Sequence, residues 1–139
     1  MRYLLDTNII SDAVGSPTGR SASRIRDVFS SASIVTSIIV VSELRYGYTK
    51  ISSKRLRAAY ELFFSGIPIE DWEVPFDHVY ADIRSALDKN GHPLGAMDML
   101  IAAHAMATDA VLVTADAAFR HVGGLRVENW LRDEPAPQG

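Results

Sequence analysis

Four acidic residues stand beside strongly apolar segments of this chain, although they are far apart in sequence. They are Asp6 after "YLL", Glu43 within "IIVVSELRYG", Asp98 within "LGAMDMLIAAHA" and Asp116 after "VLVT". Burying an unpaired carboxylate is costly, so each acid needs a partner: a base, backbone donors or a cation. Because few basic residues lie near all four in sequence, a shared divalent cation is the simplest common partner.

The available residue types narrow the choice of cation and of chemistry. The chain has no cysteine, and its four histidines form no HxxxH or HExxH pattern. Oxygen ligands therefore favour Mg²⁺ or Mn²⁺ over zinc. Thr7, Asn8 and Thr114 are candidates to orient the carboxylates or bind water. The natural chemistry of such a cluster is attack of metal-activated water on a phosphodiester, which predicts a nuclease.

Each acid taken singly also has a structural interpretation, and the sequence leaves it open. Asp6 could cap the helix that follows it, and Asp98 could complement the dipole of a helix N-terminus. Glu43 could pair with Arg45 or Lys50. The argument for a site depends on the four acids together.

Basic residues follow Glu43 closely and could collect phosphates beside an acidic centre. The candidates for RNA binding are Arg45, Lys50, Lys54 and Arg55. A solvated helix surface explains them about equally well. Because the formal net charge is −3, any nucleic-acid site must be local rather than a basic coat over the whole molecule.

The segments that carry the acids alternate between strand and helix patterns. Strands are predicted in "RYLLD", "SIVTS", "IPIEDWEV", "AVLVT" and "LRVENW", the third as a short edge strand. Helices are predicted in "TNIISDAV", "SASRIRDVFSS", "IIVVSELRYGY", "KRLRAAYELFFSG", "PFDHVYADIRSALDKNG" and "LGAMDMLIAAHAMA". This alternation predicts a three-layer α/β/α sandwich with a mainly parallel central sheet. Functional groups of such sheets gather at the carboxyl ends of the strands, where Asp6 and Asp116 fall.

Length and composition predict one domain. The 139 residues are 47% hydrophobic, which is enough for one sizeable core over residues 1–131, with a disordered tail at 132–139. No apolar run approaches the roughly 20 residues that span a bilayer, so we expect a cytoplasmic protein without a membrane partner. Phe29 is predicted to face the core from the second helix, and the third helix is predicted from the spacing of Ile39, Val40, Leu44 and Gly47. His104 is predicted to be a core or interface residue.

Two other functions are weaker fits. Phosphoryl transfer through an aspartyl phosphate would require an acidic pair or Asp-x-Asp at the first strand, but position 8 is Asn. A nuclease-like fold kept only as a binding module would be favoured by loss of an acid, and all four acids are present.

Four ordered blocks resemble PIN-domain ribonucleases of the VapC toxin type: "LLDTNIIS", "VVSELRYG", "LGAMDMLIAAHA" and "LVTADAAFRHVGGLRVENW". The resemblance implies a PIN-like α/β/α fold and a Mg²⁺- or Mn²⁺-dependent endoribonuclease that leaves a 5'-phosphate. By position it implies that Asp6, Glu43, Asp98 and Asp116 form the catalytic, metal-binding cluster, supported by Asn8 and Thr114.

The resemblance also implies partners. It predicts a toxin that is blocked by a cognate VapB-like antitoxin, and an RNA substrate for which tRNA is the expectation at family level. We expect a homodimer through the helices near Leu44 and Tyr60. The chain departs from many relatives in having Ala115-Asp116 where Asn-Asn is common, and in having His92 and Ala96-Met97 around the third block.

Overall fold

A five-stranded parallel sheet forms the centre of residues 1–132, the part of the chain that the computed structural model describes. Its strands are β1 (Arg2–Leu5), β2 (Ser33–Ser37), β3 (Ile69–Glu70), β4 (Val111–Val113) and β5 (Val127–Glu128). They are ordered β3-β2-β1-β4-β5, and all neighbouring strands pair in parallel. The predicted parallel sheet is confirmed, including the short edge strand in "IPIEDWEV".

Within residues 1–132, six α-helices flank the sheet and complete the predicted α/β/α architecture. They are α1 (Thr7–Gly15), α2 (Arg20–Val28), α3 (Ile38–Lys50), α4 (Lys54–Phe64), α5 (Phe76–Asn90) and α6 (Ala96–Ala107), with a short 3₁₀ helix at Ala117–His121. The helices α3 and α4 form a hairpin, and α5 packs along α6. No helix among these residues has the length and apolarity needed to cross a membrane.

The core follows from the burial of the central strands on both faces. Leu4 and Leu5 of β1 and Leu112 of β4 are completely buried, as expected for inner strands of a parallel sheet. The helix α6 is also buried nearly all round, including Ile101 and His104. Its position explains why "MLIAAHA" lacks a polar face.

One prediction of a core-facing residue is wrong. Phe29 is 58% exposed because α2 ends at Val28, so the ring lies beyond the inward stripe of the helix. Of the positions whose spacing predicted α3, Val40 and Leu44 are buried, whereas Gly47 is exposed.

Two further expectations concern a dimer surface and the tail. Leu44 is 8% exposed and belongs to the core, so it is unavailable to the dimer surface expected near it, whereas Tyr60 is partly buried. The exposed apolar side chains of this hairpin include Tyr46 and Leu62 instead. The predicted tail lies outside the described residues, except for Arg132.

The strand order creates one special position at the carboxyl edge of the sheet. The chain moves outward from β1 through β2 to β3, and then crosses back to place β4 and β5 on the other side of β1. Helical connections therefore diverge between β1 and β4, which leaves a crevice at the carboxyl ends of these strands. Asp6 follows β1 at this point, and Thr114 follows β4.

Candidate active site at the carboxyl edge of the sheet

Asp6 is a buried carboxylate held at the junction of β1 and α1. Its backbone N–H donates to the carbonyl of Val113 at 2.9 Å, which extends the pairing of β1 with β4. Its Oδ1 accepts the Thr7 N–H at 2.8 Å, and its Oδ2 accepts the Thr114 hydroxyl at 2.7 Å. Asp6 is therefore the N-cap of α1, which was the structural alternative for this residue. The side chain is also held toward β4 by Thr114, and Asp6 is only 2% exposed.

The polar residues around Asp6 join the start of α1 to the end of β4. The Asn8 Oδ1 accepts the Ala115 N–H at 2.9 Å, and its Nδ2 lies 3.3 Å from the Thr114 Oγ1. The same Thr114 oxygen accepts the Asp116 N–H at 3.1 Å. These bonds hold the segment that carries Asp116 against Asp6. The Thr7 hydroxyl lies 3.5 Å from Asp6 Oδ1 and contributes little to this arrangement.

The other three acids are more accessible than Asp6. Glu43 lies in the middle of α3, and Asp98 lies in the first turn of α6; both are half-buried. Asp116 is exposed and caps the 3₁₀ helix, because its Oδ1 accepts the Ala118 N–H at 2.9 Å. Each acid is therefore placed by the start or the body of a different helix.

Electrostatic interactions couple the four acids. Burial raises the pKa of Asp6, and the charge of Asp116 raises it further, against the hydrogen bonds from Thr114 and Thr7. Burial also raises the pKa of Glu43, with added repulsion from Asp98 and Asp6. The pKa of Asp98 is raised by burial and then by Asp6 and Asp116. The fold therefore brings like charges together at some cost to their ionisation.

The charges and donor types of these residues fit a hard divalent cation, which would relieve the repulsion. The acidic side chains are not tightly grouped, however. Within residues 1–132, no three His, Cys, Asp or Glu side chains lie close enough together to hold a metal ion. Arg45, a possible partner for Glu43, instead pairs with Glu61 at 3.0 Å. The fit to a cation therefore depends on charge and chemistry rather than on a complete set of ligands.

The basic candidates lie along the α3–α4 hairpin. All four are exposed, and Lys54 and Arg55 begin α4. Arg45 is committed to the hairpin itself, because its guanidinium bonds both carboxylate oxygens of Glu61 and lies over the ring of Phe64. Lys50 ends α3, seven residues after Glu43, which corresponds to about 10 Å along a helix.

Sequence reasoning missed one residue that supports the site. Ser37 caps α3, the helix that carries Glu43, by accepting the Ile39 N–H at 3.2 Å. The signal was available, since a serine directly before an apolar helical run is a typical N-cap. His104 was predicted to be a core residue and is completely buried, but its contacts with Ser37 and Glu70 depend on a tertiary arrangement that the sequence does not reveal.

The fold is that of an α/β protein with an open parallel sheet, and its acidic residues lie around the switch point, where such proteins commonly bind their ligands. Residues 3–125 match the family model described as the PIN domain. The chain belongs to the PIN-domain family.

Similar proteins align with nearly the whole length of this chain. Ribonuclease VapC2 of Rickettsia felis is 33% identical over 94% of this chain and 98% of its own length. The tRNA(fMet)-specific endonuclease VapC of Shigella flexneri is 30% identical, with the same two coverages of 94% and 98%. Among solved structures, VapBC2 of Rickettsia felis bound to a DNA fragment from its promoter matches with a TM-score of 0.87 and 32% identity, covering 94% of this chain and 99% of that one.

Proposed function

We propose that this protein is a metal-dependent endoribonuclease that acts as the toxin of a toxin–antitoxin pair. The observation that carries the proposal is the arrangement at the switch point of the sheet, where the hydrogen bonds of Asn8 and Thr114 hold the Asp116 segment against Asp6. The charges of Glu43 and Asp98 add to the repulsion there, which supports the same proposal. The similarity to ribonuclease VapC2 and to the VapBC2 complex supports the ribonuclease activity and the antitoxin partner.

Asp6, Glu43, Asp98 and Asp116 would hold Mg²⁺ or Mn²⁺. When bound, such an ion lowers the pKa of an attacking water and offsets the charge that develops on the scissile phosphate. Asp6 is the fixed member of the set, because Thr7 and Thr114 hold both carboxylate oxygens. Asn8 and Thr114 keep the Asp116 segment in register with it.

The substrate is RNA, and the basic α3–α4 hairpin would bind its phosphates. Lys50, Lys54 and Arg55 are the side chains best suited to this, whereas Arg45 is engaged by Glu61. One relative is a tRNA(fMet)-specific endonuclease, so tRNA is the first substrate class to test. Sequencing the RNA ends after induction of the protein should show 5'-phosphates at the cleavage sites.

The partner is a VapB-like antitoxin that binds this chain and blocks cleavage in the cytoplasm. The active protein is a homodimer, in which the exposed side chains of Tyr46 and Leu62 are better placed than Leu44 to contact another chain. Light scattering of the purified chain, alone and with its antitoxin, measures both assemblies.

The decisive experiment substitutes an acid without changing its shape. We expect Asp98→Asn to reduce RNA cleavage in Mn²⁺ by at least about 100-fold, because it removes one anionic ligand from the cluster. Asp109→Asn is the matched control, since Asp109 is 97% exposed and pairs with Arg126. Undiminished cleavage by folded Asp98→Asn, or cleavage that persists in excess EDTA, would refute the proposal.

A further inference from the structure

A second polar cluster lies beside β2 and β3 at the same edge of the sheet. His104 in α6 is completely buried, with its Nδ1 2.9 Å from the Ser37 Oγ and its Nε2 3.2 Å from the Glu70 Oε1. Arg2 of β1 forms an ion pair with the same Glu70 carboxylate. We refer to Arg2, Ser37, Glu70 and His104 as the His104 network.

The hydrogen bonds of the network require a proton on Nε2 of the imidazole, because the Glu70 carboxylate can only accept. The Ser37 oxygen accepts the Ile39 N–H as the N-cap of α3, so its O–H is available to donate to Nδ1 of His104. The Nε2–H of the ring then donates to Glu70. A neutral imidazole protonated at Nε2 satisfies both of its partners, and burial lowers the pKa of His104 despite the opposing effect of Glu70.

This network connects the two helices that carry the half-buried acids. Ser37 caps α3, which contains Glu43, and His104 lies six residues beyond Asp98 in α6, or about 9 Å along the helix. Since the imidazole and its bond to Ser37 are buried, a shift of α6 against the start of α3 would leave these polar groups unpaired.

Contacts from the segment around the start of α5 hold the same part of α6. The Trp72 Nε1–H donates to the carbonyl of Leu100 at 2.9 Å, and the ring of Phe76 lies 4.8 Å from the imidazole of His104. The imidazole is therefore held by contact with the Phe76 ring as well as by the hydrogen bonds of its two nitrogen atoms.

We propose that His104 is a positioning residue: by joining α6 to the N-cap of α3, it sets the placement of Asp98 relative to Glu43. This inference rests on the proposed function of the acidic cluster. A displacement of about 1 Å at a catalytic centre can reduce turnover on the order of 100-fold, so a bond this far from the acids can control activity.

The test compares variants that break one bond, both bonds or neither. His104→Leu removes both bonds of the ring, and His104→Asn retains an acceptor for Ser37 but does not reach Glu70. Ser37→Ala removes the bond to His104 together with the cap of α3, whereas Ser37→Thr keeps the hydroxyl. Ser53→Ala is the matched control, because Ser53 caps α4 by accepting the Leu56 N–H at 3.1 Å.

The measurements are the Mn²⁺ dissociation constant by calorimetry, and kcat and KM for RNA cleavage. His104→Leu should weaken Mn²⁺ binding about tenfold and lower kcat on the order of 100-fold, with little change in KM. Ser37→Ala should show the same pattern, and Ser37→Thr should restore wild-type values. Ser53→Ala should lose thermal stability as Ser37→Ala does, but keep the Mn²⁺ affinity of the wild type.

Two outcomes separate the failure of this inference from the failure of the proposed function. Wild-type Mn²⁺ affinity and kcat in Ser37→Ala and His104→Asn would overturn the positioning role and leave the nuclease intact. If the wild-type chain neither binds Mn²⁺ nor cleaves RNA, the proposed function fails. The backbone NMR chemical shifts of Glu43 and Asp98 in metal-free protein then test the positioning role. Shifts that change in His104→Asn but not in Ser53→Ala support it, and unchanged shifts in His104→Asn overturn it.

Discussion

The acidic cluster and the His104 network occupy neighbouring parts of one sheet edge, but their charges are arranged in opposite ways. In the network, burial alone would raise the pKa of Glu70, yet hydrogen bonds from Arg2 and His104 outweigh it and leave the pKa below its ordinary value. In the acidic cluster, burial raises the pKa of Asp6, and the neighbouring charge of Asp116 raises it further. The first set of groups is internally paired, and the second repels itself.

This difference distinguishes charges that have partners within the fold from charges that do not. Glu70 is a partly buried carboxylate with a guanidinium and an imidazole beside it, so its charge already has partners within the fold. Carboxylates that repel other carboxylates lower the stability of the chain, and a bound cation would offset that repulsion. The contrast predicts that equivalent substitutions in the two clusters change stability in opposite directions.

The largest expected effect on stability is in the paired cluster. Glu70→Gln should lower the free energy of unfolding by about 1 to 2 kcal/mol, because it weakens charged hydrogen bonds to Arg2 and His104. Urea unfolding in EDTA at pH 7 measures it. Asp109→Asn removes an equivalent charge from an exposed ion pair and should change stability little; equal losses in the two variants would contradict the comparison.

A gain of stability is expected in the acidic cluster. Asp98→Asn should raise the free energy of unfolding in EDTA by an amount on the order of 1 kcal/mol, because it removes a charge that is disfavoured first by burial and then by repulsion from Asp6 and Asp116. The same variant should lose most of the rise in Tm that Mn²⁺ produces in the wild type. Destabilisation by Asp98→Asn in EDTA would show that this carboxylate is structurally paired.

The two clusters should also respond differently to pH in EDTA. The folded state raises the pKa of Asp98 above its ordinary value of 3.8, so ionised Asp98 destabilises the fold. The gain from Asp98→Asn should be full near neutral pH, shrink as the pH falls through the raised pKa, and disappear below about pH 3.8.

For Glu70 the sign is reversed. Its pKa is lowered from 4.5, so its stabilisation is present above that pH and is lost as the pH falls through the lower folded value. The loss caused by Glu70→Gln should therefore persist down to about pH 4.5. Urea unfolding of Asp98→Asn and Glu70→Gln between pH 4 and pH 8 measures both differences from the wild type. If the two differences changed with pH in the same way, the two clusters would not differ as proposed.

The smallest effects are expected on the basic hairpin, the third charged region. Lys54→Ala should raise KM for RNA only a few-fold, leave kcat unchanged and reduce the slope of log affinity against log salt by about 1, because it removes one phosphate contact. Arg55→Ala should do the same. Arg45→Ala should in addition lower the free energy of unfolding, because Arg45 pairs with Glu61. A large fall in kcat without a loss of stability would instead place Arg45 at the reacting phosphate.

The sequence predicted the fold well where local pattern and burial agree. The alternating strand and helix segments gave the parallel sheet, the edge strand and the buried α6, because each depends on the periodicity of its own apolar residues. It failed at Phe29, where the inward stripe depends on the residue at which α2 ends. Such details are set by neighbouring elements rather than by the segment itself.

The residue types of the candidate site were determined by sequence alone: four acids beside apolar segments, oxygen ligands without cysteine, and a serine before an apolar helix. Only the tertiary structure decided which polar groups are paired. The strand order β3-β2-β1-β4-β5 brings Asp6 against Thr114 and Glu70 against Arg2 and His104. Residues more than thirty positions apart meet through strand pairing and crossover, and whether a buried charge is stabilised or repelled depends on the partner that it meets there.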